Sequence, residues 1–188
     1  MIIINLFAGP GSGKSTTCAG LFSKLKLAGI NCEMALEYAK ELIWENNLET
    51  LNDQIYVFAQ QLHRLNRLKD KVNVIITDSP LLLSIIYDQS RSTFFKDLVK
   101  EQFDKFNNIN YYVRRNSVYN PAGRIENINQ AVDKDSEILQ LLTDYQISYK
   151  TVDKIDAVEK IFNNIIIIIT YKTYSTTIFI VTRTMNCA

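Results

Sequence analysis

Residues 2 to 17 read Ile-Ile-Ile-Asn-Leu-Phe-Ala-Gly-Pro-Gly-Ser-Gly-Lys-Ser-Thr-Thr. An apolar run too short for an ordinary helix breaks into a glycine-rich turn, and helical spacing then resumes through Leu21, Phe22, Leu25 and Leu27. Strand, turn and helix in that order restrict the chain to folds built from a parallel sheet covered by helices. Gly9, Gly11 and Gly13 permit positive φ and keep side chains out of the way, so successive N–H groups can converge on a phosphate. The helix that opens near Lys14 adds its own unpaired N–H groups and dipole at the same point.

A triphosphate is the guest this geometry suits, and ATP with Mg²⁺ is the expected cofactor pair. Gly9, Pro10, Gly11, Ser12, Gly13, Lys14, Ser15 and Thr16 form the expected nucleotide-binding loop. Lys14 is placed to bridge the β- and γ-phosphates, the Ser15 hydroxyl to ligate Mg²⁺, and Thr16 to support the α-phosphate. Ala8 stands where the general pattern has Gly, which predicts a slightly narrowed loop entrance with binding retained.

With 188 residues the chain is long enough for one α/β domain with a full core. A formal net charge of +1 gives no global pull toward nucleic acid or an anionic membrane. Cys18, Cys32 and Cys187 are too scattered for a zinc site and the single His63 supplies no cluster, so the thiols read as reduced and the protein as cytoplasmic. A phosphate loop this close to Met1 leaves no room for a signal peptide in the sequence given, and no membrane partner is expected. Nothing in the sequence fixes the oligomeric state, and a homodimer is compatible with it.

Along the chain, residues 31 to 36 predict a second strand that ends at Glu37 before helical spacing returns at Tyr38. This puts Glu37 at the carboxyl edge of the sheet, where open α/β folds bind ligands. Residues 50 to 70 predict the longest helix, in which Gln61 and Arg64 lie one turn apart and either line a substrate cleft or belong to a solvated face. Residues 72 to 78 predict a strand closed by Asp78, placed either to hold the Mg²⁺ shell opposite Ser15 or to cap the next helix. Ser79 and Pro80 follow; hydrolytic ATPases of the AAA kind carry Glu directly after this acid. The chain also lacks an Asn-Lys-x-Asp guanine-reading motif, so phosphoryl transfer to a bound acceptor is favoured over hydrolysis.

Residues 81 to 87 and 93 to 106 predict apolar helices, the second burying Phe94, Leu98, Val99, Phe103 and Phe106. Residues 110 to 113 predict a fourth strand. It runs into a turn-rich segment carrying Arg114, Arg115 and Arg124 before helical spacing resumes near Ile128. Arginines there serve either as a lid over phosphate oxygens or as surface partners of Glu126 and Asp133. A fifth strand at 149 to 153 and a closing helix at 157 to 162 complete the domain. From Ile165 the chain turns β-branched and almost uncharged, which predicts an edge strand or hairpin, or an appendage outside a domain of residues 1 to 165.

The chain resembles the P-loop kinases grouped with the NadR-like ATPase/kinase domain, including small phage-encoded members. Over about residues 1 to 165, the likeness rests on Ala8 to Thr16, Glu37-Tyr-Ala-Lys40, Gln61 to Arg64, Asp78-Ser-Pro80 and Gly123-Arg124. It implies a three-layer α/β fold with a five-stranded parallel sheet and an Arg-bearing lid. It also implies an ATP-dependent phosphotransferase acting on a nucleoside, nucleotide or related hydroxyl compound. Glu37 would accept the acceptor's proton, Tyr38, Gln61 and Arg64 would touch the acceptor, Arg114 the nucleotide, and Arg115 and Arg124 the transferring group. Where the family often has Arg three places after the acid, this chain has Lys40. Two other readings stand beside it: a kinase for a modified base within DNA, and a nucleotide-dependent switch or weak ATPase.

Overall fold

The computed structural model describes the backbone of residues 1–115 and 125–185, with side chains outside 116–124 and up to residue 171. Five strands, β1 (Ile2–Phe7), β2 (Cys32–Ala35), β3 (Val74–Thr77), β4 (Asn108–Arg114) and β5 (Lys150–Asp153), form one sheet in the order β2-β3-β1-β4-β5. Every pairing is parallel. Central strands covered on both faces need continuous apolar runs rather than alternation. Ile2, Ile3, Ile4, Leu6 and Phe7 of β1 and Val74, Ile75 and Ile76 of β3 are accordingly all buried.

Asn5 is the polar exception in β1, 1% exposed, and its amide donates to Asn108 Oδ1 and Asn110 Oδ1, each at 2.9 Å. Those bonds satisfy a group that would otherwise oppose burial and pin the register of β1 on β4.

The helices are α1 (Lys14–Leu27), α2 (Tyr38–Trp44), α3 (Leu48–Asn52), α4 (Gln54–Asn66), α5 (Leu83–Tyr87), α6 (Thr93–Asp104), α7 (Ile128–Asp144) and α8 (Ala157–Met185). They flank the sheet: α1 packs with α8, and α5 packs with α4, α6 and α7. The closeness of α1 to α8 requires Gly20, where a Cβ would stand 3.0 Å from Val158 Cγ2.

Three expectations change. The helix expected over 50 to 70 is two, because the Asp53 side chain accepts the Tyr56 N–H and starts α4 afresh, while Asn47 caps α3 through the Thr50 N–H. In α6 the buried side is Phe95, Val99 and Phe103; Phe94 is 85% exposed and Leu98 42%, so the apolar stripe is rotated one residue from the expected one. The β-branched run after Ile165 is neither strand nor hairpin but the continuation of α8 to Met185. Extending a formed helix adds one hydrogen bond per residue fixed, whereas a strand needs a partner edge. Ile165 is fully buried in the core, and Ile168 and Ile169 pack against it. Among the described residues no helix is long and apolar enough to cross a membrane.

Candidate active site

The carboxyl ends of β1, β2 and β3 bring the loop, Glu37 and Asp78 to one edge. Because β3 lies between β1 and β2, the chain order reverses direction there and opens a crevice at the switch point. Gly11 and Gly13 of the loop take φ of 78° and 106°, so the glycines at these positions supply the left-handed conformation. No side chain caps α1 among the described residues, and its first turn holds no acid. An anion is the partner that a helix start of this kind suits. Lys14 Nζ donates to the carbonyls of Ala8 at 2.7 Å and Gly9 at 3.1 Å, and Ser12 Oγ to the Gly9 carbonyl at 3.0 Å. Ala8 is core, 1% exposed, so its methyl faces inward and contributes to packing.

Ser15 Oγ donates to Asp78 Oδ2 at 2.5 Å, and Asp78 Oδ1 accepts the Glu37 N–H at 3.1 Å. Asp78 is 2% exposed. A hydroxyl and a carboxylate thus meet beside the phosphate loop, the hard oxygen pair that Mg²⁺ takes together with phosphate oxygens. These residues fit that ion. Asp78 does not cap α5, which starts at Leu83 with no side-chain cap.

A cavity of about 420 Å³ opens at this edge, lined by Lys14, Ser15, Thr16 and Glu37, by the apolar Ile43, Leu51, Val57 and Leu83, and by the polar Asn52, Gln54 and Gln130. Lys40, Tyr87 and Glu126 also face it. Glu37 is the second residue after β2 and the N-cap position of α2, yet its side chain makes no capping bond. Burial pushes its carboxyl above the usual range and the negative charge of Asp78 adds to this, while Lys14 and Lys40 pull the other way. Such a group takes up a proton more readily than a surface carboxylate does. Burial pushes the Tyr87 phenol far above its ordinary value, and the negative charge of Glu126, to which its hydroxyl is hydrogen-bonded, adds to this.

Gln61 and Arg64 lie elsewhere than the cavity wall. Gln61, 4% exposed, accepts the Tyr38 N–H at 3.1 Å and donates to the Ala35 carbonyl at 3.5 Å. Arg64 donates to the Leu36 carbonyl at 3.3 Å and pairs with Glu41 at 2.6 Å, its guanidinium 5.1 Å from the Tyr38 ring centroid. The Tyr38 ring also packs edge-on to Tyr56. Arg114 pairs with Asp153 at 3.3 Å across β4 and β5. Arg115 pairs with neither Glu126 nor Asp133 but with Asp135 of α7 at 2.8 Å, both side chains nearly buried. Arg124 lies outside the described residues.

Asp135, which no motif singles out, accepts the Gly9 N–H at 2.6 Å with one oxygen and Arg115 Nε with the other. Helix α7 comes so close here that a Cβ on Gly9 would lie 2.5 Å from the Ala131 carbonyl oxygen. The two partners are 126 positions apart, and no local spacing could pair them. Glu126 and Tyr87 likewise reach the cavity through the fold.

No protein-family profile matches the chain, and no curated protein does. Among solved structures it is similar to a deoxyadenosine kinase from M. mycoides bound to dCMP and a flexible dCDP. The identity is 16% and the TM-score 0.55, over 87% of this chain and 98% of that one. At that identity the likeness speaks for architecture: a five-stranded parallel sheet flanked by helices, in the manner of a P-loop nucleoside kinase.

Proposed function

We propose that the protein is an ATP- and Mg²⁺-dependent kinase that transfers a γ-phosphoryl group to a hydroxyl of a nucleoside, nucleotide or related small acceptor. The observation that carries this reading is one cavity lined by Lys14, Ser15 and Thr16 together with Glu37 and a mixed polar and apolar set of further side chains. A hydrolase needs only a water beside the γ-phosphate; a cavity that continues past the loop to Glu37 and the side chains beyond has room for a second organic substrate. The nucleoside kinase fold of the solved relative supports the same class.

In this reading the loop amides and Lys14 hold the β- and γ-phosphates. Ser15 and Asp78 would hold Mg²⁺, which when bound neutralises charge on the phosphate oxygens. Glu37 takes the proton of the acceptor hydroxyl as its oxygen bonds to the γ-phosphorus, and the bond to the β–γ bridging oxygen breaks with its electron pair leaving on ADP. Positioning and charge neutralisation supply most of the rate in such a transfer. Arg115, paired with the same Asp135 that accepts the Gly9 N–H, helps hold the loop in place.

The test is ADP release measured across a panel of nucleosides and nucleotides, beside Lys14→Ala and Glu37→Gln. Release that depends on an acceptor and is lost in both variants supports the assignment. Release indifferent to every acceptor overturns it in favour of a weak ATPase or switch.

A further inference from the structure

Four consecutive residues around Glu37 have backbone groups gripped from outside their own elements. The Ala35 carbonyl accepts from Thr77 Oγ1 at 2.7 Å and from Gln61 Nε2 at 3.5 Å, and the Leu36 carbonyl accepts from Arg64 at 3.3 Å. The Glu37 N–H is taken by Asp78, and the Tyr38 N–H by Gln61 Oε1, each at 3.1 Å. Gln61 thus spans the corner, one end on the residue two before Glu37 and the other on the residue directly after it.

An acidic residue at an N-cap position can turn its own carboxylate onto the N–H groups two or three residues on, in α2 those of Ala39 and Lys40. Here Asp78 and Gln61 satisfy the N–H groups of Glu37 and Tyr38, and the Glu37 carboxylate makes no capping bond and faces the cavity. Gln61 has both ends of its amide bonded to backbone, is 4% exposed, and takes no part in the cavity wall. A side chain so committed has little left to offer a ligand; turning toward one would leave a helix N–H without its acceptor.

We propose that Gln61 is a positioning residue for Glu37 and does not contact the acceptor, and that Arg64 serves the same corner through the Leu36 carbonyl. The inference rests on the kinase reading above for its kinetic consequence, but its geometric content stands apart from turnover. A displacement of about 1 Å at a reacting group costs on the order of a hundredfold in rate. Loosening the corner therefore acts on turnover and leaves the chamber that binds the acceptor as it was.

The experiment compares Gln61→Met, similar in size without the amide, with Gln61→Glu, which keeps an oxygen for the Tyr38 N–H. The expected result for the Met variant is a kcat lowered by about tenfold or more, with acceptor KM within about twofold and the ranking of acceptors unchanged. The Glu variant recovers part of that loss. A raised acceptor KM at unchanged kcat, or a new ranking of acceptors, overturns the proposal and makes Gln61 a reader of the substrate.

Hydrogen exchange of the Tyr38 amide, followed by NMR, reads the clamp without catalysis. Faster exchange in the Met variant supports the proposal and unchanged exchange overturns it. Wild-type protein inactive toward every acceptor would remove the kinase reading, and the amide measurement would then decide the clamp alone. Should the Met variant fail to fold, Arg64→Met carries the same kcat-against-KM prediction in milder form.

Discussion

Asp135→Ala separates the buried contacts that hold the phosphate loop from the many exposed ion pairs of this protein. Asp135 and Arg115 retain only 13% and 12% of their side-chain exposure. Arg115 Nη1 is already buried without a partner, and without Asp135 the guanidinium keeps only the 3.3 Å bond from Nη2 to the Ala131 carbonyl. Removing the carboxylate leaves a guanidinium charge in a poorly solvated site and strips the Gly9 N–H of its acceptor. Breaking a buried pair from one side costs about 3–5 kcal/mol. At about 2–4 °C per kcal/mol for a domain of this size, the expected fall in Tm is about 6–20 °C. Asp104→Ala is the reference: its pair with Lys100 is one helical turn long and half exposed, and its loss is expected to cost at most about 0.5 kcal/mol. Arg115→Met combined with Asp135→Leu is expected to recover much of the loss, because no unpaired charge remains. Calorimetry or thermal circular dichroism on the four proteins reads the whole set. An Asp135→Ala variant no less stable than Asp104→Ala would refute the reasoning.

Two further outcomes are expected. Glu37 has a raised carboxyl in the folded protein, so between the ordinary value and that raised one the folded state binds the proton more tightly than the unfolded chain, and stability falls as pH rises through the window. At neutral pH Glu37→Gln is therefore expected to melt at or above the wild-type temperature while losing turnover, and the acid limb of kcat/KM should lie above the ordinary Glu range; a clearly lower Tm contradicts the sign. Gly9→Ala forces a methyl against the Ala131 carbonyl oxygen, an overpacking cost of about 1–3 kcal/mol, and titration calorimetry should show weakened Mg-ATP binding. Affinity equal to wild type would mean the loop yields without strain.

The strand–loop–helix unit was legible because every part of it is local. Gly11 and Gly13 carry the positive φ that the turn demands, Lys14 and Ser15 follow at fixed offsets, and the apolar run before them must be a covered strand. Asp78 was legible for a related reason: an acid ending an apolar strand lies at the sheet's carboxyl edge, and the pairing of β1 with β3 sets it beside Ser15. The face of α6 was misplaced by one residue because both Phe94 and Phe95 suit an apolar stripe, and only the surface they pack against chooses between them.

Periodicity and glycine placement, which act over a few bonds, determined the sheet-and-helix architecture, the anion-binding turn and the acids at its edge. Tertiary structure alone decided what each long side chain does with its charge or amide. Arg115 and Asp135, Gln61 and the corner at Glu37, and Tyr87 and Glu126 meet across tens of residues. It also decided that the isoleucines after residue 165 extend α8, since β-branched residues form strands where an open edge receives them, and here a helix already under way and a core to pack against were nearer.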